Sequence, residues 1–105
     1  MLVQQRLNAY NAGNIDAFLA PYDDSVTIYQ FPDQFLSRGK EAIREQYSLL
    51  FPVSPSLHCE IRERIIQGHW VIDKESITGM GNNKVESTAI YDIENNKIKK
   101  VYLIQ

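Results

Sequence analysis

The spacing of hydrophobic residues changes halfway along the chain. In the first half it is helical: Val3, Leu7 and Tyr10 fall at i, i+4 and i+7, a stripe that Gly13 can end as a left-handed cap. Asn14 then caps a short second helix carrying Ile15, Phe18, Leu19 and Tyr22, broken by Asp23-Asp24. Residues 25–31 are rich in β-formers (Val26, Thr27, Ile28, Tyr29, Phe31) and stop at Pro32. After a loop, Gly39 opens a third helix with Ile43, Tyr47 and Leu50 on its apolar stripe, closed by Pro52.

The second half reads as strands over 57–67, 70–79, 84–94 and 97–104. Gly68-His69, Gly81-Asn82-Asn83 and Asn95-Asn96 separate them. Helices first and a meander after them predict an α+β fold, with helices packed on one face of an antiparallel sheet. The chain's 105 residues suffice for one domain and one core.

The turns also predict register. A two-residue turn at Gly68-His69 sets Arg64 opposite Asp73, Glu63 opposite Lys74 and Arg62 opposite Glu75, three complementary pairs. A second at Asn95-Asn96 sets Asp92 opposite Lys99, Ile90 opposite Val101 and Thr88 opposite Leu103. Ala89, Tyr91, Tyr102 and Ile104 then share the other face. Helices can cover only one face, so a homodimer through the other is expected.

Charge and cysteine content narrow the partners. Lys and Arg total 11 against 13 acids, which leaves no basic footprint for nucleic acid. The cluster Lys97, Lys99 and Lys100 reads as a solvated strand end. Residues 1–10 are too polar for a signal peptide, and no run approaches the ~20 apolar residues of a membrane span. Cys59 stands alone, which rules out an intramolecular disulfide and fits a cytoplasmic location. Without a metal-ligand spacing, a phosphate loop or a nucleophile elbow, no metal and no cofactor is expected.

Four segments in order carry a resemblance. They are Leu7-Asn8-Ala9-Tyr10-Asn11-Ala12-Gly13-Asn14-Ile15-Asp16-Ala17-Phe18, Tyr22-Asp23-Asp24-Ser25-Val26, Gly39-Lys40-Glu41-Ala42-Ile43-Arg44-Glu45 and Asn96-Lys97-Ile98-Lys99-Lys100-Val101. Together they resemble the SnoaL-like branch of the nuclear transport factor 2-like superfamily. The resemblance implies a single SnoaL-like domain over 1–105. Its fold would be a cone-like, strongly bent antiparallel sheet wrapped around three helices, with a pocket at the wide end. Members include ketosteroid isomerase, limonene epoxide hydrolase, scytalone dehydratase and polyketide cyclases, beside non-catalytic binding proteins, so the fold leaves function open.

The resemblance places Tyr29 at the ketosteroid isomerase base position and Thr88 near its acid position, so that constellation is missing. Leu103, Glu75 and Ile77 stand where the epoxide hydrolase has Asp–Arg–Asp, and that set is missing too. Both alignments turn Tyr29, Glu75, Ile77, Thr88, Ile90, Val101 and Leu103 toward the pocket.

Glu75 is the first acid/base candidate, because a carboxylate on an apolar strand face under helices is desolvated and its pKa rises. The competing reading is a structural ion pair with Arg62. Tyr29 and His58 are the other catalytic candidates; His58 shares Arg62's parity and points to the pocket mouth. Asp73 with Arg64 is expected as a surface pair nearer the turn. Thr27 and Phe31 on the first strand, Tyr10 and Tyr47 from the helices, and Arg62, Asp73, Ile77, Thr88, Ile90, Val101 and Leu103 complete the expected lining. Aromatic and aliphatic walls around a few polar groups suit a small apolar molecule. Two functions follow: an acid/base enzyme of the isomerase, cyclase or dehydratase type on an apolar carbonyl-bearing ligand, or a non-catalytic ligand-binding or dimerisation module.

Overall fold

The computed structural model describes all 105 residues. Helix α1 (Leu2–Ala12) ends at Gly13, whose positive φ of 66° no β-carbon opposes. The Asn14 side chain accepts the Ala17 amide and starts α2 (Ile15–Leu19). Strand β1 (Tyr22–Gln30) turns back through β2 (Gln34–Arg38) before α3 (Lys40–Val53). Four long strands follow: β3 (His58–Gln67), β4 (Trp70–Met80), β5 (Asn83–Glu94) and β6 (Lys97–Ile104). No helix is long and apolar enough to cross a membrane.

The strands form one curved, unclosed sheet in the order β2-β1-β6-β5-β4-β3, with the helices on its concave side. The meander is antiparallel throughout, but β1 joins β6 in parallel. The predicted loop after Pro32 contains β2, which near-continuous exposure and a short length had hidden. Val3, Leu7, Tyr10, Phe18, Ile43 and Phe51 from the helices meet Val26, Val71, Tyr91, Ile98 and Val101 from the sheet in one core. Gly79 marks where the sheet passes the chain leaving α3. A β-carbon there would sit 2.1 Å from the Ser56 carbonyl oxygen, and its φ is +92°.

Both predicted hairpin turns form. Gly68 supplies positive φ between paired Gln67 and Trp70, and Asn95 and Asn96 both take positive φ between Glu94 and Lys97. Each hairpin then carries a β-bulge that shifts the register beyond it. In β3 the irregularity lies between Ile61 and Glu63, so Arg64 still faces Asp73 and Glu63 still faces Lys74, but Ile61 rather than Arg62 faces Glu75. In the last hairpin Asp92 faces Lys100, Tyr91 faces Val101 and Ala89 faces Leu103, not the expected partners one residue away. One extra residue exchanges the two faces of everything beyond it. Tyr91 and Ala89 are therefore in the core rather than on the outer face.

Candidate functional site

The concave side holds two polar groupings and a cavity. The first grouping centres on Glu75, which is 4% exposed. Its carboxyl accepts weak bonds from the Cys59 thiol (3.7 Å) and the Ser87 hydroxyl (3.4 Å), and no cation lies within 4.0 Å. Burial raises its pKa, a shift that the Arg6 charge opposes and the Asp73 charge reinforces. The thiol is also affected: burial and the adjoining carboxylate push Cys59 up to about 12.

One step along β4, Asp73 is 1% exposed and takes a bidentate pair from Arg64, Nε at 2.6 Å and Nη2 at 2.9 Å. Arg64 also donates to Gln4 Oε1 on α1 at 2.7 Å, which ties strand to helix. The expected surface pair is thus a largely buried one, because α1 packs against β3 here and Gln4 holds Arg64.

The second grouping centres on Arg6 of α1, which was not among the expected site residues. It sits between Val3 and Tyr10 on the buried stripe, and an arginine set into an apolar helical stripe is the signal that would have found it. Its Nε donates to the Tyr22 hydroxyl at 2.5 Å. Its guanidinium carbon lies 5.0, 5.3 and 5.9 Å from the ring centres of Phe18, Tyr91 and Tyr10. The Tyr91 hydroxyl is fully buried with no hydrogen-bond partner.

Arg6 borders a cavity of ≈ 320 Å³ under α3. Tyr22, Gln46 and Tyr47 supply further polar atoms, and Ile28, Leu36, Ile43, Val101 and Leu103 supply apolar walls. A second crevice of ≈ 390 Å³ lies where α1 and α3 end, beside Asn11, Phe51 and Pro55. There the Asn11 amide already clamps both backbone polar atoms of Cys59, at 2.7 and 3.0 Å. No three His, Cys, Asp or Glu side chains converge as a metal-ion cluster.

The concave side receives Tyr10, Tyr47, Asp73, Glu75, Ile77, Val101 and Leu103 from the expected site residues. Seven others lie elsewhere. Ile28 faces the cavity, so Thr27 and Tyr29 point the other way, and Tyr29 stacks on Tyr102 at 5.2 Å on the convex face. Phe31 and Ile90 join Trp70 and Tyr102 in a shallow convex groove. The β5–β6 bulge turns Thr88 outward, opposite Ile104. The β3 bulge leaves Arg62 exposed, 3.7 Å from Glu60, and His58 is exposed opposite Thr78. His69 is less free than its turn position suggested, since its Nδ1 lies 2.7 Å from Asp92 Oδ1.

The sequence matches the model of the SnoaL-like domain over residues 3–101. No curated protein matches it. Among solved structures, an uncharacterised cystatin-fold protein from Novosphingobium aromaticivorans superposes with a TM-score of 0.88 at 23% identity, over 99% of this chain and 95% of that one. A putative polyketide cyclase from Sinorhizobium meliloti gives 0.79 at 16% identity, over 97% and 92%. A hypothetical protein of ketosteroid isomerase-like fold from Catenulispora acidiphila, in complex with trimethylamine, gives 0.78 at 15%, over 97% and 82%. At these identities the likeness is one of fold.

Proposed function

Because this chain belongs to the SnoaL-like domain family, we propose that it is a small-molecule-binding protein whose ligand occupies the cavity under α3. The observation that carries this reading is the composition of the cavity wall. Five aliphatic side chains surround Arg6, Tyr22, Gln46 and Tyr47, in a volume of ≈ 320 Å³ at the lower end of the range for ligand sites. Native mass spectrometry of the purified protein tests it. A bound small molecule is expected on the wild type and not on Leu103→Trp, which fills the cavity from its sheet wall. A ligand that survives Leu103→Trp does not sit there.

Glu75 supports a second reading, proton transfer of the isomerase, cyclase or dehydratase type on a carbonyl-bearing ligand. A buried carboxyl with a raised pKa and no cation partner is the kind of group general acid/base chemistry uses. Glu75 does not border the cavity, however, so binding comes first and turnover second. Under this reading Glu75→Gln abolishes turnover and leaves binding intact; unchanged turnover removes it.

A further inference from the structure

Arg6 has a charge without a counter-charge. No carboxylate lies within 4.0 Å of it, although an arginine half-buried against a core is commonly paired with one. Glu75 spends its hydrogen bonds on Cys59 and Ser87, and Asp73 spends its own on Arg64. The three aromatic rings around Arg6 favour a cation but offer no acceptor in the plane of its fork. Nε is fixed on Tyr22, so the planar group is held in one orientation. Both terminal nitrogens lack a protein acceptor, and the residue borders the cavity. An arginine fork held this way matches a carboxylate bidentately.

Resting on the cavity reading above, we propose that the ligand is a small carboxylic acid, its carboxylate seated on Arg6 and its apolar body against Ile28, Ile43, Val101 and Leu103. A phosphate fits less well. Its second negative charge would meet no further cation, since the rest of the wall is aliphatic, phenolic, hydroxyl and amide. The cavity also limits size. At about 30 Å³ per water-sized unit it has room for roughly ten such units, which suits a compact acid.

The test uses two matched pairs of probes: 3-phenylpropanoate with 3-phenylpropanamide, and cyclohexylacetate with cyclohexylacetamide. Each pair shares one shape and differs in charge. Calorimetric titration of the whole protein at pH 7 is expected to show each acid binding at least about tenfold tighter than its amide. In Arg6→Gln the advantage of each acid over its amide should disappear. Arg6→Lys keeps the charge without the fork and should recover only part of the preference, which also covers the case where Arg6→Gln fails to fold. Equal binding of acid and amide by the wild type overturns this inference and leaves the cavity reading in place. If neither member of either pair binds, both are overturned.

Discussion

Across the β3–β4 ladder Glu75 lies opposite Ile61, so its carboxyl enters the core beside a thiol and a hydroxyl rather than a guanidinium. The folded state therefore holds the Glu75 proton more tightly than the unfolded chain, and burial is the main cause. A carboxyl of raised pKa contributes its full stability below the ordinary value near ~4.3 and loses it as pH rises through the folded value. Glu75→Gln cannot ionise. Urea unfolding from pH 4 upward should show the variant gaining on the wild type across that window, by about 1.4 kcal/mol per pH unit, and then holding level. A difference that stays constant with pH would mean that Glu75 is not desolvated in the fold.

Arg64 and Asp73 present the opposite case, a buried acid with its counter-charge in place. Asp73 is 1% exposed, and Arg64 reaches it with two nitrogens while also holding Gln4. Arg64→Ala leaves that carboxylate alone in the core and should cost about 3–5 kcal/mol in denaturant unfolding. The double variant Arg64→Ala/Asp73→Asn should recover a large part of the loss, since the uncompensated charge goes with the aspartate. No recovery would assign the loss to the Gln4 link instead.

The convex face is expected to meet a second copy of the chain. Tyr29 stacks on Tyr102, with Phe35 edge-on to Tyr29 at 6.1 Å, and Phe31 and Ile104 are 49% and 41% exposed beside them. A contiguous apolar patch of this kind on a sheet face marks an interface. Sedimentation at micromolar concentration should give twice the 12.1 kDa chain mass for the wild type. Tyr102→Lys should give the monomer, with an unchanged circular dichroism spectrum. A monomeric wild type removes this expectation.

What the sequence conveyed, and what it did not, divides along one physical line. Features set by neighbours in the chain were legible: the Val3–Leu7–Tyr10 stripe, the Gly13 and Asn14 caps, and the turns at Gly68 and Asn95-Asn96. Glu75, Val101 and Leu103 were placed on the inner face by the resemblance, and Asp73 joined them by sharing the parity of Glu75 on its strand. The two bulges were not legible, since they come from strand curvature that no local motif marks, and each displaces a face by one residue. Arg62, Thr88 and Ile90 were misplaced for that reason. Tyr29 failed differently: the resemblance set its orientation, whereas its own strand alternates the other way around Ile28. Arg6 was hidden because its value lies in what surrounds it in space, residues from α2, β1 and β5 that are distant in sequence.

Cys59 offers a chemical readout of the same core. Its side chain faces Glu75, the residue is 4% exposed, and burial together with that carboxylate pushes the thiol up to about 12. Only the thiolate alkylates, and an ordinary thiol near ~8.5 has a substantial thiolate fraction at pH 8. In the folded state that fraction is smaller by more than about a thousandfold, and the sulfur is covered as well. Iodoacetamide should therefore modify native protein at pH 8 only through transient opening, at a rate that climbs with sub-denaturing urea. Glu75→Gln separates the two routes by sign. It stabilises the fold at this pH and should slow modification if opening is required. It also removes the neighbouring negative charge, which would speed direct attack on the folded thiol. Slower labelling of the variant, by a factor matching its gain in unfolding free energy, is the expected result.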